Sequence, residues 1–176
     1  ISSIFKKAIE NLENTVGVFY IYNKNKKLIY VDYSKDIKNK VVKLFTSKKF
    51  IPKYVQNNFK SIKTHKTGNV EIAILKVIHE IKSLRPKINN NIDPKLFYKI
   101  DIPHVIVNKK DFIITFSGKK DDEKGFILFK DLKIVGYGYF DLFNNINTVK
   151  KLKSRVVKVN ECKKVKNYVY RVISEK

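Results

Sequence analysis

Lys35, Lys38, Lys40 and Lys43 follow one another along a segment whose apolar residues Ile37, Val41, Leu44 and Phe45 recur at helical spacing. Ammonium groups strung along one helix can hold the phosphates of a polyanion as point charges, and they can equally form a solvated face. Just upstream, Phe19, Tyr20, Tyr22, Tyr30 and Tyr33 lie in two β-rich runs. Aromatics in strands stack on bases when they line a nucleic-acid groove, but more often they build core, and core is the expectation. Metal chemistry has less to work with. His65, His79, His104 and Cys162 fall on different segments without paired ligand spacing, so no zinc site is expected. Gly136-Tyr137-Gly138 lacks the third glycine and the helix start of a phosphate loop, and it reads as a strand with a bulge or a close backbone approach.

The whole chain carries the same sign of charge. Its 176 residues include 38 Lys and Arg against 16 Asp and Glu, a formal net charge of +22, which points to a polyanion partner. Arginine occurs only at Arg85, Arg155 and Arg171, so nearly all of this charge is lysine, a residue that AT-rich codon drift also favours. Either origin gives salt-dependent affinity for DNA. The length suits one ordinary domain or two small ones and excludes a barrel with its loops. With 43% hydrophobic and 12% aromatic residues the chain can build a core. No apolar run approaches the ~18 residues needed to cross a bilayer, so no membrane partner is expected. A lone cysteine permits no internal disulfide, and the opening segment alternates charged with apolar residues, which together suit a reducing, cytoplasmic setting. The sequence contains no Met, and Ile1 is expected to lie inside a longer protein.

Hydrophobic spacing supplies the scaffold. Ile4, Phe5, Ala8, Ile9 and Leu12 predict an opening amphipathic helix, and Val16 to Tyr22 with Leu28 to Tyr33 predict a β-hairpin. Ser34 is the expected N-cap of the lysine-bearing helix, with Asp36 in its first turn. Pro52 to Asn57 predicts one more helical turn, and Phe59 to Lys66 a lysine-rich edge strand that Thr67-Gly68-Asn69 ends. Ile74, Leu75, Ile78 and Ile81 give Val70 to Leu84 the buried stripe of a long helix, stopped by Pro86. The polar, Asn-rich stretch from Lys87 to Pro94 predicts a boundary between a domain of residues 1–90 and one of residues 91–176. In the second, His104 to Val107, Asp111 to Ser117, Phe126 to Lys130 and Lys133 to Asp141 predict a four-stranded meander. Two amphipathic helices, around Ile146 to Leu152 and Val165 to Val172, are expected to cover it. The fold class is α/β (α+β): small antiparallel sheets flanked by helices.

In their order and spacing, Gly17-Val18-Phe19-Tyr20, Tyr30-Val31-Asp32, Ser34 to Val41, Thr67-Gly68 and His79 to Asn89 resemble the core of the GIY-YIG nuclease family. The resemblance is strongest to the GIY-YIG domain that follows the exonuclease domain in DNA polymerase III epsilon-subunit-like proteins, and more distant to the excinuclease C proteins. Residues 95–176 are similar to the variable tail of the epsilon-like proteins.

The resemblance implies a set of roles. A tyrosine on the first strand helps activate water, an arginine on the helix holds the scissile phosphate, and a glutamate on the last helix binds one divalent metal, Mg²⁺. Phosphodiester cleavage needs such groups because negative charge builds on the phosphoryl oxygens as the nucleophile attacks. Here Phe19 stands at the first tyrosine, and Tyr20 beside it must point to the other face of a strand. Tyr30 and Ser34 remain. Lys40 replaces the arginine, Leu44 replaces a histidine or tyrosine, and Val77 replaces the glutamate. Asp32 replaces a glycine and adds a carboxylate near the expected phosphate. Glu80, one turn beyond Val77, and Asp32 are the alternative pair of metal oxygens.

The expectation is a catalytically degenerate GIY-YIG module that binds DNA without reading its sequence, through Lys35, Lys38, Lys40 and Lys43, and that needs no cofactor. Two alternatives stand beside it. One is an active Mg²⁺-dependent endonuclease that keeps Tyr30 and Lys40 and rebuilds its metal site on Glu80 and Asp32. The other is a scaffold that docks replication or repair proteins.

Overall fold

Strand alternation and helical spacing resolve into two antiparallel sheets on either side of one helix. The computed structural model describes residues 3–100, 111–131, 133–143 and 149–159. Helix α1 (Ser3–Glu10) leads into strands β1 (Gly17–Tyr22) and β2 (Leu28–Ser34), followed by helices α2 (Ile37–Thr46) and α3 (Phe50–Asn58). Strand β3 (Ser61–Lys66) adds to the other edge of β1, giving the order β2-β1-β3. Helix α4 (Val70–Leu84) and a 3-10 turn (Pro94–Lys99) then precede β4 (Phe112–Ser117), β5 (Glu123–Lys130) and β6 (Lys133–Asp141). The short α5 (Val149–Lys153) and β7 (Val157–Lys158) complete a second sheet ordered β4-β5-β6-β7.

The hairpin of β1 and β2 forms in the register Phe19 opposite Asp32 and Tyr20 opposite Val31. Paired residues share a face, so alternate residues divide between two cores. Phe19 and Ile21 face α1, α2 and α3, where they join Phe5, Ile37, Val41, Phe45, Val55 and Phe59. Val18, Tyr20, Val31 and Tyr33 face α4. On its far side α4 meets Ile114, Ile127, Phe129, Ile134 and Tyr137 of the second sheet. That explains why α4 buries the unbroken run Ile72, Ala73, Ile74 and Leu75 together with Val77, Ile78 and Ile81. A helix covered on one side would bury a stripe; one held between two sheets is apolar nearly all round.

Several elements differ from expectation for local reasons. Asp36, not Ser34, is the N-cap of α2: its carboxylate accepts from the Asn39 amide at 3.0 Å. Ser34 still ends β2, and its hydroxyl closes a turn by accepting from the Asp36 amide at 3.0 Å and donating to the Asp36 carbonyl at 2.6 Å. The extra helical turn at Pro52 is a nine-residue helix, because Pro52 falls in its first turn, where no amide partner is needed. The lysine-rich edge strand forms as expected from Ser61 to Lys66. Strand β7 was not anticipated. Its partner strand accommodates it through the glycines at 136 and 138: a Cβ on Gly136 would lie 2.2 Å from the Val157 carbonyl oxygen, and one on Gly138 2.8 Å from that of Arg155. The close approach expected of this glycine pair is therefore present. The strand expected at His104 to Val107 and the helix at Val165 to Val172 lie outside the described residues.

Candidate functional site

Register brings the first group together. Asp32 pairs with Phe19 and Tyr30 with Ile21, so Phe19, Tyr30 and Asp32 share the face over which α2 lies. The Tyr30 hydroxyl donates to Asp32 Oδ2 at 2.9 Å, and Lys40 Nζ on α2 reaches the same oxygen at 2.7 Å. Lys40 Nζ also donates to the Tyr33 carbonyl at 2.8 Å and lies 5.0 Å from the centre of the Tyr33 ring. Asp32 Oδ1 accepts from the Tyr33 amide at 2.8 Å. Both carboxylate oxygens of Asp32 are thereby engaged. Burial, then the adjacent Asp32 charge and its hydrogen bond, push the Tyr30 phenol well above the ordinary tyrosine range. It stays protonated and is a hydrogen-bond donor, not a base.

The remaining positions are apolar. Phe19 is fully buried with its ring 6.2 Å from that of Tyr30, and no hydroxyl stands there. Leu44, one turn beyond Lys40, packs into the same core. Val77 is 1% exposed and belongs to the core on the α4 face. A divalent cation needs several oxygen ligands, and these residues do not fit one. Glu80 does not supply the missing oxygens either. Its Oε1 accepts from the Tyr20 hydroxyl at 3.2 Å and from Lys76 Nζ at 2.9 Å. Tyr20 faces α4, opposite the face that carries Asp32, so the Glu80 and Asp32 pairing does not form. Among the described residues no three His, Cys, Asp or Glu side chains gather into a metal-binding group.

Of the four lysines, Lys35 and Lys40 border one cleft of about 440 Å³, together with Tyr33, Ser34, Val70 and Lys99. Lys38 is two residues before Lys40, about 200° around the helix, and cannot share a phosphate with it. Lys43, about 60° from Lys40, is exposed on the same side of α2. Among the described residues the cleft therefore offers three cations, of which Lys40 alone is tied to a carboxylate.

Two contacts had little or no signal in the sequence. The Tyr20–Glu80–Lys76 cluster was signalled only by the i, i+4 spacing of Lys76 and Glu80. Asn89 clamps the outer edge of β2, accepting from the Val31 amide at 3.2 Å and donating to the Val31 carbonyl. Its place three residues after Pro86 was the available signal.

No family profile matches the chain. It is 26% identical over 174 residues to UvrABC system protein C of Borreliella burgdorferi (strain ZS7), a match that takes in 95% of this chain and 26% of that protein. The same protein of Borrelia garinii subsp. bavariensis matches with the same identity and shares. Among solved structures, the Mg²⁺-bound GIY-YIG N-terminal endonuclease domain of UvrC from Thermotoga maritima aligns with a TM-score of 0.46 and 21% identity, over 52% of this chain and 100% of that one. A point mutant of that domain bound to its catalytic divalent cation aligns with a TM-score of 0.45 and 21% identity, over 49% and 96% of the two chains. The chain thus spans about a quarter of the length of the curated relatives it matches, and what it is similar to along nearly all of its own length is UvrABC system protein C.

Proposed function

We propose that this chain is a nucleic-acid-binding, catalytically degenerate GIY-YIG module of a DNA-repair protein related to UvrABC system protein C. The observation that carries the reading is the closed triad of Tyr30, Asp32 and Lys40. The phenol and ammonium that a reacting phosphate would meet are both satisfied by Asp32, beside a phenylalanine. Lys35 and Lys99 at the cleft and Lys43 on the same side of α2 hold backbone phosphate through charge, which gives affinity without base readout. Of the two settings expected from the sequence, the excinuclease one has the broader support, because the similarity extends through residues well beyond the GIY-YIG segment. The setting behind an epsilon-like exonuclease rests on motif order alone.

Fluorescence anisotropy with labelled duplex and flap DNA tests the binding. Affinity should be measurable in low salt, with log K falling by about 0.9 per phosphate contact for each unit of log salt. Absence of binding in low salt, or binding that ignores salt, overturns it. Plasmid nicking with Mg²⁺ tests the degeneracy. Nicking that disappears in Tyr30→Phe would establish the rebuilt endonuclease instead.

A further inference from the structure

A second basic groove lies at the opposite end of β2. Lys27 from the hairpin turn and Leu84, Arg85 and Lys87 from the end of α4 surround about 700 Å³ above Leu28, with Asn23 at the rim. Ser34 and Leu28 are the two ends of β2, so about 20 Å of strand separates this groove from the Lys40 cleft. The two also differ in charge state. No carboxylate lines the groove, and none of Lys27, Arg85 and Lys87 is ion-paired among the described residues.

The main chain that carries Arg85 and Lys87 is fixed by hydrogen bonds. Arg85 adopts a left-handed conformation, φ 46°, as the C-cap of α4, and its amide donates to the Ile81 carbonyl at 3.1 Å. Beyond Pro86 the chain is laid on β2: the Lys87 amide donates to the Leu28 carbonyl at 3.4 Å and the Ile88 amide to that of Ile29 at 2.9 Å. The Lys87 ammonium sits 5.5 Å from the centre of the Tyr54 ring. Arg85 also borders a neighbouring hollow of about 450 Å³ with Lys82 and Asn90, so the positive track continues past the helix end.

We propose that this groove binds one strand of nucleic acid through its phosphodiester backbone. It rests on the nucleic-acid reading above, but on different residues. Arg85 brings the planar guanidinium that α2 lacks, able to take a phosphate in bidentate fashion. Leu84, 50% exposed, and Leu28 give an apolar floor for a sugar or base, and the asparagine amides offer both donors and acceptors. The volume is on the scale of small-ligand sites, and a flexible single strand can follow such a groove more closely than a stiff duplex can.

The test uses the whole chain and a short labelled oligothymidylate. The triple variant Lys27→Gln, Arg85→Asn, Lys87→Gln should bind about tenfold more weakly in low salt, with a salt slope shallower by about 2. Asparagine suits the left-handed backbone at position 85, and the single variant Arg85→Asn, with its thermal midpoint checked, guards against misfolding. Duplex affinity should fall less than single-strand affinity. If the triple variant binds like the parent while Lys35→Gln with Lys43→Gln binds more weakly, the groove is overturned and the nucleic-acid reading stands. If the parent itself fails to bind in low salt, both fall. Equal losses for duplex and single strand overturn the single-strand assignment.

Discussion

Two tyrosine–carboxylate–lysine triads occupy opposite faces of the β1–β2 hairpin: Tyr30–Asp32–Lys40 under α2, and Tyr20–Glu80–Lys76 under α4. Their chemistry is nearly the same, and their surroundings are not. Lys76 and Glu80 are 15% and 16% exposed, whereas Lys40 is 40% exposed at the rim of a cleft. The more sealed triad joins α4 to β1 and offsets the cost of its partly buried charges by mutual pairing. The open one, on the function proposed above, fixes the groups that would otherwise meet a phosphate. Position relative to solvent, more than residue type, separates a structural clamp from a lock on a site.

The largest expected effect strikes the sealed triad. Glu80→Ala leaves the partly buried Lys76 ammonium without its carboxylate and the Tyr20 hydroxyl without its acceptor, and urea unfolding should show a loss of about 2–4 kcal/mol. Adding Lys76→Met should recover most of it. A loss below about 0.5 kcal/mol would break the comparison, since both triads would then be surface pairs.

Asp32→Asn addresses the open triad. Releasing Lys40 should tighten DNA binding several-fold in low salt and steepen the salt slope by about 0.9, at a stability cost of no more than about 1 kcal/mol. Glu80→Gln should leave DNA binding unchanged. Equal binding effects from the two changes would remove the distinction between lock and clamp.

Alkaline pH sharpens the comparison further. Burial first, and then the adjacent carboxylate, raise the phenols of Tyr20 and Tyr30 above their ordinary value of 10.0. The folded state therefore keeps protons that the unfolded chain releases. Their contribution is complete below pH 10.0 and is lost as pH rises beyond it, by about 1.4 kcal/mol per pH unit for each phenol. Equilibrium unfolding across that range should show a slope that Tyr20→Phe and Tyr30→Phe each reduce. Tyr22, Tyr137 and Tyr139, also raised by burial, contribute to the slope that remains.

The smallest effect is at Asp36, whose carboxyl is held below its ordinary 3.8 by hydrogen bonds from Asn39 and Asn14. Its contribution is present above pH 3.8 and fades as pH falls through the lower, folded value. Asp36→Asn keeps an N-cap for α2 and should remove a small part of the acid dependence, lowering the thermal midpoint slightly at neutral pH and leaving it unchanged at low pH.

Much of the scaffold was legible because it is written in short periods. The β-rich runs from Val16 to Tyr22 and Leu28 to Tyr33, and the spacing of Ile74, Leu75, Ile78 and Ile81, predicted the hairpin and α4. The same period of two puts Tyr20 on the face away from Phe19, from their adjacency alone. Ser34 misled as a cap because serine and aspartate, two residues apart, both satisfy turn amides, and only the backbone angles choose between them. Strand β7, two residues long, is too short to show a period.

At the site, residue types were readable and partners were not. That Phe19 lacks a hydroxyl and Val77 a carboxylate follows from the sequence alone. That Asp32 takes up both Tyr30 and Lys40, that Glu80 turns to Tyr20, and that Asn89 closes on Val31 depend on contacts as far as 60 residues apart. Neighbouring residues encode which face a side chain occupies. Which element covers that face, and so which charges meet there and which stay open to a ligand, is decided when α2 and α4 pack on opposite sides of one sheet, because hydrophobic burial fixes those placements without regard to the polar groups carried along.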